Sequence, residues 1–130
     1  MRKGILLLAA IAMAVTVFGN NPSPIIPEPV EIQMTDGHFT IDEETSVHFN
    51  AEVERLISLA EFFSNYIKEI SGHELAFNAS TSKEVRFEII DHDQLGEEGY
   101  QLDVTQGGIA IRANDPKGIF YGMQSLFQTL

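Results

Sequence analysis

At 130 residues, 44% apolar and 9% aromatic, the chain has side chains enough for one modest core and a length suited to one domain. Its formal charge is −11, and removing Arg2 and Lys3 with an N-terminal leader leaves 6 basic against 19 acidic residues, −13 for the mature chain. That balance excludes nucleic acid and anionic membrane as natural partners, and the absence of cysteine excludes a disulfide framework, a thiolate site and a lipid-bearing cysteine at the cleavage point.

Met1-Arg2-Lys3 is a short positive region, Ile5 to Phe18 a nearly unbroken apolar run, and Val17-Phe18-Gly19 places small or aliphatic residues where a signal peptidase cuts. Residues 1–19 are therefore expected to be a cleaved signal peptide that exports the chain to a periplasmic or extracellular space. The apolar run is too short for a stable membrane anchor, since a spanning helix needs about 20 residues. Residues 20–29 hold four of the five prolines and predict an extended, solvated entry segment.

The folded part starts at residue 30. Val30, Ile32 and Met34 alternate with polar residues, Asp36-Gly37 can turn, and Phe39 and Ile41 alternate again, which predicts a hairpin that places His38 in a strand. After the acidic turn Asp42-Glu43-Glu44, Val47 and Phe49 flank His48 in a third strand, and Asn50 can cap a helix beyond it. From Ala51 to Ser71 the period becomes helical: Val53, Leu56, Ile57, Ala60, Phe63, Ile67 and Ile70 form one stripe, with Gly72 placed to end it.

Val85, Phe87 and Ile89 predict a further strand, and residues 91–99 an acidic loop. Tyr100, Leu102 and Val104 then alternate, Gln106-Gly107-Gly108 turns the chain, and Ile109, Ile111 and Ala113 return as a second hairpin. Asp115 and Pro116 open a final helix. Its apolar face is Ile119, Phe120, Met123, Leu126, Phe127 and Leu130, opposite Lys117, Tyr121, Gln124, Ser125 and Gln128. Gly118 and Gly122, four apart, predict close backbone packing, because each costs a helix about 1 kcal/mol against alanine. No glycine, asparagine or proline ends this helix, so it reads as cut, with Phe127 and Leu130 still wanting partners. The whole predicts an α+β fold: a small, largely antiparallel sheet with two main helices packed on one face.

Candidate chemistry is sparse. Asp42-Glu43-Glu44 and Glu97-Glu98 lie in predicted turns, whereas a glycosidase pair needs two facing acids about 5–9.5 Å apart, one raised in pKa by burial. In Asp91-His92-Asp93 adjacent side chains do not converge on one ion, and His73-Glu74 has Phe77 where a zinc-protease helix needs its second histidine. His38 and His48 lack a nucleophile partner, Asn78-Ala79-Ser80 matches a glycosylation acceptor, and Tyr100 and Tyr121 suit a core better than a sugar platform.

The run Val85-Arg86-Phe87-Glu88-Ile89, Gly99-Tyr100-Gln101-Leu102-Asp103-Val104, Gly108-Ile109-Ala110-Ile111 and Asp115-Pro116-Lys117-Gly118-Ile119-Phe120-Tyr121-Gly122-Met123-Gln124-Ser125-Leu126 closely resembles the N-terminal domain of glycoside hydrolase family 20, the β-N-acetylhexosaminidases. Ile25-Ile26-Pro27-Glu28-Pro29 is similar to that family's opening, so the resemblance covers about residues 25–130. Similar N-terminal domains also precede barrels in family 84 β-N-acetylglucosaminidases and family 67 α-glucuronidases, but the Phe120-Tyr121-Gly122-Met123-Gln124 run favours family 20.

The resemblance implies a small sheet with helices on one face, packed against a (β/α)₈ barrel that hydrolyses terminal N-acetylhexosamine of glycans. There an Asp-Glu pair works with the substrate's own acetamido group as nucleophile. Both acids would lie beyond Leu130, so catalytic, cofactor-binding and metal-ligating residues are expected to number none here, and no cofactor is implied. The expected partner is the chain's own barrel, reached through the helix from Asp115 to Leu130. An exported carbohydrate-binding or assembly module is the alternative.

Overall fold

The computed structural model describes residues 38–130. The expected signal peptide, the entry segment and the first strand of the N-terminal hairpin lie outside the described residues. The elements run β1 (Thr45–His48), α1 (Glu54–Ser71), β2 (Ala76–Phe77), β3 (Lys83–Ile89), β4 (Tyr100–Thr105), β5 (Gly108–Ala113) and α2 (Pro116–Phe127), with the strands in the order β2-β1-β3-β5-β4.

The α+β class holds, but the largely antiparallel sheet does not. Among the described residues β1 pairs parallel with β2 and with β3, β3 pairs parallel with β5, and β4 with β5 is the antiparallel ladder. Helix α1 carries the chain back to the end where β1 began, so β2 must run in the same direction. After β3, the chain skips a place: β4 takes the edge, and the turn at Gln106-Gly107 folds β5 back between β4 and β3. The expected strand at Phe39 and Ile41 is absent as well, because residues 38–41 form no ladder. Both side chains are buried in the core all the same, and alternation alone cannot separate a strand from an irregular segment with alternate side chains inward.

Alternation decides the sheet's two faces. Val47, Val85, Ile109 and Val104 form one cross-strand row, and Phe87, Ile111 and Leu102 the next. All are buried under the helices. The other face carries His48, Glu84, Arg86, Glu88, Asp103 and Arg112.

Helix α1 begins three residues later than expected. Asn50 makes a turn instead of a cap: its side chain accepts from the Glu52 N–H at 2.9 Å and its carbonyl from the Val53 N–H at 3.1 Å. Val53 is the first boundary residue, with no side-chain cap. The other end is as expected, since Gly72 takes φ 80° and donates its N–H to the Lys68 carbonyl at 2.8 Å. Leu56, Leu59, Ala60, Phe63 and Ile67 are buried, whereas Ile70, placed in the same stripe by its spacing, is 49% exposed.

Helix α2 starts as its sequence requires, with Asp115 accepting from the Lys117 N–H at 2.9 Å and Pro116 in the first turn. Its end differs from the expectation. The helix closes at Phe127, the Gln128 N–H reaching the Gln124 carbonyl at 3.3 Å and the Thr129 hydroxyl the Leu126 carbonyl at 2.7 Å. Phe127 is only 9% exposed, stacked between Tyr66 and Phe63 with ring centroids 3.9 and 5.7 Å away, and Leu130 packs on the core. Two side chains thus exchange their expected sides: Phe120 is 38% exposed, while Ser125 is buried with its hydroxyl bonded to that of Tyr100.

The glycines bear out close packing. A Cβ on Gly118 would sit 2.4 Å from the Gly99 carbonyl oxygen and 2.5 Å from the Ala113 Cβ, and one on Gly122 would sit 2.4 Å from Ile111 Cγ2. Gly118→Ala gains roughly 1 kcal/mol of helix propensity. It drives a methyl into backbone that cannot move aside, so the net expectation is destabilisation by about 1–3 kcal/mol, read from the urea unfolding midpoint.

Candidate functional site

The carboxylates singled out in the sequence do not come together. Asp42 pairs with Lys83 at the start of β3 and also accepts from the Glu44 N–H at 2.9 Å. Glu43 lies 3.4 Å from His73, and Glu97 lies 3.8 Å from Lys117. Burial pushes the Asp42 carboxyl up, but hydrogen bonds from Lys83 and the Glu44 N–H, with the charges of Lys83 and His73, outweigh it and hold the group below its ordinary value. The exposed Glu74 is lowered too, by its bond with Lys68. A glycosidase general acid needs the opposite shift.

His92 is fastened rather than offered. Its N–H donates to Asn114 Oδ1 at 2.7 Å, its carbonyl accepts from Asn114 Nδ2 at 2.7 Å, and its Nδ1 accepts from the Gln94 N–H at 3.3 Å. These bonds tie the acidic loop to the residue after β5. His38 lies exposed outside any strand, and Asn78, at φ 50°, accepts from the Phe49 N–H at 2.9 Å. Tyr100 is buried; desolvation raises its hydroxyl pKa more than the Ser125 hydrogen bond lowers it. It completes the core, as its position in an alternating strand suggested.

A serine, a histidine and a carboxylate meet on the open face of the sheet, a grouping not legible from sequence spacing. Ser46 Oγ is 2.8 Å and Glu84 Oε1 3.5 Å from His48 Nε2. Both partners use the same ring nitrogen, whereas a hydrolytic triad needs the carboxylate on the far one to orient the base. Ser46 is also fully buried, with its hydroxyl 3.1 Å from the Ala79 carbonyl and 2.7 Å from the Thr81 hydroxyl. The cluster fastens the loop after β2 to β1. Beside it, an open groove of about 460 Å³ runs past the ends of β1 and β3, lined in part by Phe49, Asn78 and Ile89.

The rest of the open face is a lattice of ions. Arg112 bridges strands, with Nε 2.8 Å from Glu88 and Nη1 2.6 Å from Asp103, and Arg86 lies 2.7 Å from Glu84. These charges satisfy one another and remain half in water.

The outer surface of the helix layer is different. Phe62 is 46% exposed, with its ring centroid 6.2 Å from Phe120 and 6.1 Å from Phe127, and Tyr121 stands 5.8 Å from Phe120. Tyr66 and Ile70 continue the line along α1. This is a contiguous aromatic ridge over the seam between the helices; larger exposed apolar patches are a common feature of interaction surfaces. Phe62, Tyr66 and Ile70, spaced by four, form a second stripe beside the core stripe; that spacing is the signal the sequence offers.

A model of glycosyl hydrolase family 20, domain 2, matches residues 22–130. A β-hexosaminidase of Porphyromonas gingivalis is 29% identical over 109 residues, spanning 82% of this chain and 14% of that protein. The fold is similar to that in the GH20 β-N-acetylhexosaminidase from Streptomyces coelicolor A3(2), with a TM-score of 0.72 at 23% identity over 85% of this chain and 23% of that one. It is also similar to an exo-β-N-acetylglucosaminidase from Vibrio harveyi, with a TM-score of 0.61 at 20% identity over 90% and 17% of the two chains. The chain therefore spans less than a quarter of each of these relatives.

This geometry carries two expected outcomes. Because the Asp42 carboxyl is lowered by folding, its stabilisation is complete above the unfolded value of about 4 and is lost as pH falls through the folded value. The stability gap between the parent and Lys83→Met, measured by urea unfolding, should be widest near neutrality and close in acid. In the isolated chain Phe63→Ala should cost about 3–5 kcal/mol, and Phe120→Ala, which removes a half-solvated ring, clearly less.

Proposed function

Since the chain belongs to glycosyl hydrolase family 20, matching its domain 2 over residues 22–130, we propose that it serves as the non-catalytic N-terminal domain of an exported β-N-acetylhexosaminidase. Its task is to cover one side of a catalytic barrel. The observation that carries this reading is the aromatic ridge of Phe62, Phe120 and Tyr121 on a unit that accounts for 14–23% of two hexosaminidase relatives. Export is supported by the positive start and apolar run of residues 1–19.

On this reading the hydrolysis of terminal N-acetylhexosamine, with the substrate's acetamido group as nucleophile, belongs to the barrel. This chain contributes position and stability. Its helices fill the layer between sheet and barrel, and the open face keeps its ion lattice in water. The docking surface is the ridge over both helices, since the end of α2 is already covered by Tyr66 and Phe63.

The test uses the 130-residue chain beside the polypeptide that carries the barrel. The short chain should release no chromophore from a β-N-acetylglucosaminide, and the long one should. Phe62→Asp should destabilise the long protein by about 2 kcal/mol or more, as loss of a buried interface ring does. Turnover by the short chain, or a long protein indifferent to Phe62→Asp, would overturn the reading.

A further inference from the structure

Two charges on α1 stand on the ends of the helix where they are least stable. Arg55 is the second residue of the helix and Glu69 the third from its end, so a cation sits at the positive end of the helix dipole and an anion at the negative end. Glu54 and Lys68, their chain neighbours, have the signs the dipole favours. Both Arg55 and Glu69 are exposed, and neither has an ion-pair partner among the described residues. The other described lysines and arginines each hold a carboxylate: Lys68 with Glu74, Lys83 with Asp42, Arg86 with Glu84, Arg112 with Glu88 and Asp103, and Lys117 with Glu97. In so acidic a chain, an arginine left alone is the exception.

Their spacing relates them to the ridge. Arg55, Phe62 and Glu69 are seven residues apart, and seven residues fall about 20° short of two full turns. The three therefore form one line along α1, a cation, a ring and an anion at intervals of about 10 Å. Charges at the ends of an apolar patch add little affinity but fix orientation, because the reversed pose sets like charges together.

We propose that Arg55 and Glu69 set the orientation in which the barrel covers the ridge. The barrel surface is apolar opposite Phe62, carries a carboxylate opposite Arg55 and carries a lysine or arginine opposite Glu69. The proposal rests on the docking of the ridge against a barrel and adds the chemistry of the partner's face to it.

Arg55→Gln and Glu69→Gln test it together with Phe62→Asp. In the 130-residue chain the glutamine variants should melt at or above the parent temperature, because each removes a charge the helix dipole opposes. In the barrel-carrying polypeptide each should speed hydrogen exchange of the α1 amides by about fivefold, an effect that fades in high salt because the pairs lie at a rim. Unchanged exchange in the glutamine variants, with faster exchange in Phe62→Asp, would overturn the pairing and leave docking intact. Unchanged exchange in all three would overturn docking as well. A lower melting temperature of the glutamine variants in the short chain would make both charges structural and end the proposal.

Discussion

The architecture depends on how closely α2 lies against β4 and β5. Without side chains at Gly118 and Gly122, the helix backbone comes within reach of the Gly99 carbonyl, Ala113 and Ile111, distances at which any Cβ would collide. The bond between the Tyr100 and Ser125 hydroxyls satisfies two polar groups that this depth buries. Depth has a consequence further along the helix. It brings Phe127 down to the level of α1, where Phe63 and Tyr66 stack on it, and so fixes the seam on which the ridge is built.

The sheet divides the molecule into an apolar and a polar half, and the polar half is self-contained. Arg112 joins β3, β5 and β4 through two carboxylates, Arg86 holds Glu84, and Ser46 with His48 fastens a loop. Partly solvated pairs of this kind contribute little each, at most about 1 kcal/mol. Their effect is to keep a row of half-exposed strands hydrophilic, so that the face without helices does not invite another sheet. The exposed aromatic ridge lies instead on the outer side of the helix layer.

Much of this was legible in the sequence. The helical period of Leu56, Ala60, Phe63 and Ile67, the Asp115-Pro116 start, the Gly72 end and the hairpin around Gln106-Gly107 all rest on local chemistry, and local chemistry survives folding. Strand order does not rest on it. That β5 lies between β3 and β4 is decided by which edges meet after the helices dock, and no residue in β3 announces its neighbour. The same limit applies to Phe39 and Ile41, whose alternation reflects burial without a ladder, and to Ser46, His48 and Glu84, brought together by register alone. Phe62 is hard to read for a different reason: one apolar stripe already accounts for α1, and a residue beside that stripe looks like its margin until a second helix makes it a seam.

The end of α2 changes the form of the functional argument without reversing it. Apolar residues there suggest a face awaiting cover, yet Leu126 and Phe127 are covered within the domain and the last turn is capped by Gln128 and Thr129. In the helix layer the uncovered rings are Phe62 and Phe120, on different helices and 6.2 Å apart. Fully burying a phenylalanine is worth roughly 1.5–3 kcal/mol, so two rings each less than half exposed offer an incoming surface on the order of 1 kcal/mol apiece. That is too little to hold a separate protein and enough to seat a domain whose ends are joined by the chain, where association costs far less. On the proposed reading, that difference is why the ridge would suit a partner within the same polypeptide better than one captured from solution.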